Sequence, residues 1–430
     1  MTTVRDRLES ILARLAERAD QERVFLRVYE DAARCAADAA DGRKRARVSL
    51  GPLDGAIVSI KDLFDVAGET TTAGSVVLRD APAARSDAVV VRRLRQAGAV
   101  IIGKTNMVEF AFSGLGLNPH YGTPGNAADP ERIPGGSSSG AGVSVAEGTS
   151  DISIGSDTGG SVRIPAALNG VVGFKPTASR VPLDGAFPLS PSLDSIGPLA
   201  ASVQECAWAD AVMAGEEPWS VSSFPLPGLR VGVPRGRLFT ETEPIVDEAF
   251  EAALGRLSRA GAKVVDHDIE DLLEAMAETT SQASIASIEA AEVHADWLEA
   301  KAHEIDPRVQ WWIARSGKVP APVYIRMVRR RGALIAAMDE RLAPIDVLAL
   351  PTTAISAPLT APLEADDKLY NRTDWLILRN TMFGNQFDLT SITLPLHGHA
   401  RPIGFMLVAR RGQDRRLLQI AAALERALAG

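Results

Sequence analysis

The chain has 430 residues, 46% of them hydrophobic and 23% charged, which is enough for a substantial core in one large α/β domain or in two or three smaller ones. A formal net charge of -8 sets it against nucleic acid and anionic membrane surfaces, since an acidic protein is not drawn to either. Cys35 and Cys206 supply neither a disulfide framework nor a zinc cage and read as buried thiols, and the six histidines show no metal-ligand spacing, so no metal or cofactor is expected.

The N-terminal residues lack the apolar run of a signal peptide, and no stretch is long and charge-free enough to span a bilayer, so a soluble cytoplasmic protein is expected. Thr2 and Thr3 can cap a first helix whose Val4, Leu8, Ile11, Leu12 and Leu15 share one face. An alanine-rich helix is expected from Val24 to Ala40, ended by Gly42 and the basic run Arg43 to Arg47 as a solvated loop. Ala56 to Ile60 is a β-branched apolar run that reads as a buried strand delivering Lys61 at its end.

A helix from Asp87 to Gly98, a strand from Ala99 to Ile102 and a helix from Asn106 to Phe112 follow, an α/β order in which polar residues leave the strand ends. Further on, a helix fits Val203 to Met213, a linker Gly215 to Pro227, and a strand Leu229 to Val233. Glu243 to Leu342 reads as mostly helical; core packing is the expected role for most of its large residues Trp297, Trp311, Trp312, Tyr324 and Met327. Strands at Val347 to Leu350, Ser391 to Leu396 and Ile403 to Ala409 and a helix from Asp414 to Leu428 complete the chain.

Two glycine-serine clusters dominate the middle: Pro134-Gly-Gly-Ser-Ser-Ser-Gly140 and Gly155-Ser-Asp-Thr-Gly-Gly-Ser-Val-Arg-Ile-Pro165. Glycines beside serines let the backbone approach a ligand and aim N–H groups at it. A phosphate loop fails because no Gly-Lys-Ser/Thr follows. A nucleophile elbow, Gly136-Ser-Ser-Ser-Gly140 with His397 or His399 as base, needs a strand before it, and Pro130 to Pro134 reads as loop.

Taken together, Lys61 after a strand, Gly135-Gly-Ser-Ser-Ser-Gly140 and Asp157-Thr-Gly-Gly-Ser-Val-Arg163 resemble the amidase signature family of serine amide hydrolases. The resemblance extends over Gly55 to Gly215 and includes Gly103-Lys-Thr-Asn-Met-Val-Glu-Phe-Ala111 and Gly170-Val-Val-Gly-Phe-Lys-Pro-Thr177. It implies Ser161 as nucleophile, Ser137 as bridging serine and Lys61 as base, with a cis peptide between Gly136 and Ser137. It also implies an oxyanion hole from the backbone of Thr158, Gly159, Gly160 and Ser161, with Asp157 and Arg163 holding the loop and Ser138 hydrogen-bonded within the site.

The chemistry agrees with that assignment. A serine needs a base within hydrogen-bond reach, and His120 is the only histidine near these motifs. A lysine serves only when neutral, which requires its pKa to fall by about two to three from near 10.4, at about 3 to 4 kcal/mol, as burial can bring about. Lys104, after its own strand, has no task in this scheme and is expected in a structural ion pair.

The expected fold is α/β, a large mixed, mostly parallel twisted sheet sandwiched between helices in a single domain over 1–430. Residues 1–50 would form N-terminal helices, 55–215 the signature core, 243–342 a mainly helical insertion covering the pocket, and 343–430 the last strands and helix. The expected activity is hydrolysis of a carboxylic amide through a Ser161 acyl-enzyme, with esters, anilides or carbamates as side substrates, a small-molecule amide as partner and a homodimer left open. The alternative is the glutamine-hydrolysing component of a tRNA-dependent amidotransferase, whose version of the Pro182 to Phe187 loop looks different. Specificity is expected in the loops 116–124 and 182–192 and in the helical region, with Trp311, Trp312, Tyr324 and Met327 favouring an apolar or aromatic acyl group.

Overall fold

The computed structural model describes residues 2–222 and 224–428. Eleven strands form one sheet: β1 Phe25–Val28, β2 Ile57–Lys61, β3 Val100–Thr105, β4 Ile152–Asp157, β5 Val172–Lys175, β6 Ser195–Ala200, β7 Arg230–Val233, β8 Lys263–Asp266, β9 Val347–Pro351, β10 Thr390–Leu396 and β11 Ile403–Ala409. Their order across the sheet is β1-β3-β2-β4-β6-β5-β10-β11-β9-β7-β8. The sheet is mixed, but it is not mostly parallel as expected. Six of the ten neighbouring pairs run antiparallel: five because β4, β6, β5, β10, β11 and β9 alternate in direction, and the sixth where β1 joins β3. Parallel pairing is confined to β3-β2-β4 near one edge and β9-β7-β8 at the other.

Side-chain alternation along the central strands sorts the two layers. Val58 and Ile60 face a layer that includes Val90, Val91 and Leu94 of the helix Val89–Gln96 and Cys206 of the helix Val203–Ala214. Ile57 faces the opposite layer, with the first helix Val4–Glu17, and Ser59 there reaches Ser144 of the helix Ser139–Ala146 at 3.2 Å. Lys61 shares the parity of Ser59, so it leaves the sheet beneath the glycine-serine segments. Thr3 caps the first helix with a capping box, as its sequence suggested.

Several local expectations change. The helix placed at Val24 to Ala40 is β1 followed by a helix from Glu30 to Arg45: Phe25 to Val28 pairs with the free edge of β3. Arg43 is still helical and grips Asp54 at 2.6 Å instead of starting a solvated loop. Asn106 to Phe112 contains only the single turn Glu109–Ala111, because Phe110 and Ala111 both take positive φ, 50° and 63°. The mostly helical segment also contains β8. Cys206 is buried, but Cys35 lies exposed on its helix. Trp311 and Trp312, 49% and 41% exposed and packed edge to face on each other, are not core residues. No helix among the described residues is long and apolar enough to cross a membrane.

Candidate active site

Lys61 ends β2 with its ammonium group fully buried. Its Nζ lies 2.7 Å from Ser137 Oγ and 2.8 Å from Ser156 Oγ. Burial lowers its pKa from the ordinary 10.5 to about 7; Asp194 and Asp157 oppose that fall. Desolvation thus brings Lys61 into the range where its neutral form is populated near pH 7.

The peptide between Gly136 and Ser137 is cis. Gly136 is pressed against another backbone: its N–H donates to the Gly114 carbonyl at 2.7 Å, and a Cβ would fall 2.8 Å from Gly116 Cα. The Ser137 carbonyl accepts from Val108 N–H at 3.0 Å. Ser138 stitches the two clusters together, its N–H donating to the Ser161 carbonyl at 3.3 Å and its hydroxyl to the Ser156 carbonyl at 3.3 Å. Lys61 and Ser137 are thus in direct contact, and Ser161 is tied to them through the backbone of Ser138.

The Ser161 hydroxyl, by contrast, makes no hydrogen bond to another described residue, and its residue keeps 4% exposure. The amides of Gly159, Gly160 and Ser161 likewise have no protein acceptor among the described residues. Three consecutive backbone donors without a protein acceptor thus end at Ser161. Gly160 is required on two counts, a φ of +141° and a Cβ that would sit 2.1 Å from Thr381 Oγ1. Gly159 has room for a Cβ, whose nearest neighbour would be Leu378 at 3.5 Å.

Asp157 and Arg163 lie on either side of this loop, both fully buried, and meet in a two-pronged pair at 2.9 Å and 3.1 Å. Burial alone would raise the Asp157 pKa, but Arg163 and its other partners hold it near 2. The carboxylate also accepts from Val162 N–H at 3.1 Å, closing the turn that presents Ser161. Lys104 pairs with Asp62 at 3.3 Å, the structural ion pair expected of it. His397 and His399 are exposed in the turn joining β10 and β11.

Four residues of the site escaped sequence reading. Ser156 is the second partner of Lys61. Asp194 accepts from the Thr158 hydroxyl at 2.5 Å and from Leu189 and Ser190 N–H at 3.0 Å, and burial pushes its pKa up to about 6. Thr381 donates to the Gly159 carbonyl at 2.7 Å, and Asn385 donates to the Asp157 carbonyl at 3.0 Å, both from the helix Asp367–Gln386. A signal for the last two existed: polar residues four apart share one face of a helix whose other residues there are mostly apolar. The 182–192 loop does border the site, since Leu183, Phe187 and Leu189 wall a cavity of about 30 Å³ with Ser156 and Asp194. A separate concavity of about 610 Å³ between Arg47, Asp54, Asp151 and Trp208 contains none of these residues.

Known proteins resemble this chain along nearly its whole length. The family model described as Amidase matches residues 6–418. The 2-amino-5-chloromuconic acid deaminase of Comamonas testosteroni is 37% identical over 402 residues, covering 91% of this chain and 86% of that protein. The AtzE component of the 1-carboxybiuret hydrolase of Pseudomonas sp. (strain ADP) is 34% identical, covering 95% and 92%. A glutamyl-tRNA(Gln) amidotransferase component of Anaeromyxobacter sp. (strain K) is also 34% identical, covering 98% and 92%. Among solved structures, the peptide amidase of Stenotrophomonas maltophilia superposes with a TM-score of 0.83 at 26% identity, covering 100% of this chain and 94% of that one.

Proposed function

The chain belongs to the amidase family and hydrolyses amide C–N bonds; from that premise we propose that Ser161 is its nucleophile, Lys61 its base and Ser137 the proton relay between them. Neutral Lys61 draws the Ser137 proton, Ser137 takes the proton of Ser161, and Ser161 Oγ attacks the carbonyl carbon. The oxyanion of the tetrahedral intermediate lies against the N–H groups of Gly159, Gly160 and Ser161, with Thr158 completing the turn. Ser137 then returns a proton to the leaving nitrogen, and water attacks the acyl-enzyme by the same route in reverse. Asp157, Arg163, Ser138 and Gly136 keep the two backbone segments in register and move no proton.

The observation that carries this reading is the 2.7 Å contact between a fully buried lysine of lowered pKa and Ser137, one residue from the amide that holds the Ser161 carbonyl. Covalent labelling with a fluorophosphonate tests it. Label lost in Ser161→Ala and kept in Ser138→Ala supports the assignment; the reverse pattern overturns it.

The substrate is read as a small amide bearing an acid group, because two relatives are named for acting on 2-amino-5-chloromuconic acid and 1-carboxybiuret. This replaces the apolar acyl group suggested by the large residues of the helical segment. Trp311 and Trp312 are half-exposed, Met327 is buried against Leu193 and Ile285, and the Tyr324 hydroxyl is spent on Glu289 at 2.6 Å. We further place the enzyme in the cytoplasm, and read the helices between Glu270 and Leu342 as the cover of its pocket. The similarity to the amidotransferase component favours a second reading, ammonia release from glutamine for a partner. Turnover of simple amides by the purified chain, without tRNA or partner, separates the two.

A further inference from the structure

Glu289, on the helix Ile285–Val293, is a buried carboxylate whose hydrogen-bond donors among the described residues are all neutral. One oxygen accepts from Tyr324 Oη at 2.6 Å, the other from Ser190 Oγ at 2.6 Å and Ser192 N–H at 3.0 Å. Arg331 feels its charge but donates elsewhere, to the carbonyls of Gln386 and Asn385. Burying a carboxylate is costly unless it is paired or fully hydrogen-bonded, and an apolar side chain would fill the place without that cost. What the carboxylate adds is its grip, since it holds its donors about twice as strongly as a neutral acceptor.

The turn it grips is the one that presents Asp194. The Ser190 carbonyl accepts from the N–H groups of Leu193 and Asp194 at 2.9 Å and 2.8 Å, and Leu193 packs with Ile285 and Met327. Asp194 Oδ2 in return accepts from Leu189 and Ser190 N–H, both at 3.0 Å, while its Oδ1 accepts from Thr158 Oγ1 at 2.5 Å. Ser190 is therefore held from two sides, its hydroxyl by Glu289 and its N–H by Asp194. A path of three hydrogen bonds runs from Glu289 through Ser190 and Asp194 to Thr158, the residue that leads into Gly159, Gly160 and Ser161.

The same Asp194 is, with Asp157, one of the two carboxylates whose charge faces Lys61. One side chain of the helical segment, steadied by Tyr324 from the helix Ala321–Leu342, thus bears on both the base and the nucleophile loop. Without its grip the 189–192 turn relaxes and Asp194 loses its two N–H donors. It then either moves away or takes up a proton more readily, and in both cases the negative charge facing Lys61 weakens.

We propose that Glu289 is a positioning residue of the hydrolytic reaction: from the helical segment it fixes the 189–192 turn, and through that turn it sets where Asp194 holds Thr158 and faces Lys61. The proposal rests on the reading of Ser161 as nucleophile and Lys61 as base. The rate of fluorophosphonate labelling at Ser161 is followed over about pH 5 to 10 in wild type, Glu289→Ala, Glu289→Gln and Ser190→Ala. Glu289→Ala should lower the plateau rate by about 10- to 100-fold, as a misplaced catalytic group does. It should also move the midpoint down by about half a pH unit or more, because Asp194 opposes the fall of the Lys61 pKa less. Glu289→Gln keeps an oxygen for Ser190 and Ser192 and turns an amide to Tyr324 Oη, so it should recover most of both changes. Ser190→Ala should shift rate and midpoint in the same direction as Glu289→Ala. Should Glu289→Ala not fold, Ser190→Ala decides alone, and a wild-type rate and midpoint there overturn the proposal. A lowered plateau with an unmoved midpoint overturns it too, as does a Gln variant as impaired as the Ala variant, which would make charge rather than geometry the cause. A wild type that takes no label at Ser161 brings down the nucleophile assignment as well, whereas normal wild-type labelling with unchanged Glu289 variants brings down this proposal alone.

Discussion

If burial makes Lys61 a base, acylation must follow its titration. With a pKa of about 7, roughly one lysine in eleven is neutral at pH 6 and ten in eleven at pH 8, so the rate should rise about tenfold between them and then level. An unshifted lysine at 10.5 would instead give a rate climbing about tenfold per pH unit through pH 9. The rate of fluorophosphonate labelling at Ser161 reads this without knowledge of the substrate. A midpoint above pH 9, or no acid limb at all, would refute the argument that desolvation sets the base.

The same shift is a stability statement, and its sign is fixed by which state holds more protons. Between pH 7 and 10.5 the unfolded chain keeps the Lys61 proton and the folded one has released it, so this residue makes stability rise with pH across that window. Below about pH 7 both states are protonated and the full cost of burial, about 5 kcal/mol at 1.36 per pH unit, remains. Lys61→Met removes that slope. Urea unfolding at pH 7 and pH 9 should show the wild type gaining about 2 to 3 kcal/mol relative to the mutant over that interval. Lys175, buried with its own pKa lowered to about 8, contributes to both proteins and cancels in the comparison.

Two further outcomes follow from the loop that carries Ser161. Asp157→Asn leaves the fully buried Arg163 without its counter-charge and should cost about 3 to 5 kcal/mol in denaturant unfolding; a loss under about 1 kcal/mol would mean that Asn385 and the Thr381 carbonyl suffice to hold the guanidinium. Gly160→Ala should abolish labelling and lower stability, because its Cβ would collide with Thr381, whereas Gly159→Ala should fold with near-wild-type stability. Equal melting temperatures for the two variants would contradict that distinction.

How much of this was legible in the sequence depends on the range of the interactions involved. Lys61 was readable because Ala56 to Ile60 is unmistakably a buried strand and period-two alternation assigns the lysine a face. The roles proposed for Ser137 and Ser161 rest on the resemblance of two local motifs. Phe25 to Val28 was misread because an alanine-rich neighbour carries the helical signal, while the partner that makes it a strand, the edge of β3, lies some 75 residues away. Thr381 and Asn385 reach the nucleophile loop across more than 200 residues, and nothing local says that their helix arrives there.

The misjudged strand directions and the missed Asp194 have one origin. β2 and β4 run parallel, so Lys61 and Ser156 leave the sheet at the same end. Had β6 also been parallel, its last residue, Ala200, would stand at that end. Instead β6 runs antiparallel to β4, with Ser195 opposite Asp157, so the chain enters β6 at the level of the site and Asp194 comes to the nucleophile loop as the residue before the strand. Its charge opposes the fall of the Lys61 pKa, and its acceptor oxygens fix Thr158. A lysine buried under the same loops without that carboxylate would have a lower pKa and be a weaker base. Burial brings the Lys61 pKa down, and the antiparallel entry into β6 supplies Asp194, one of the two carboxylates that limit the fall.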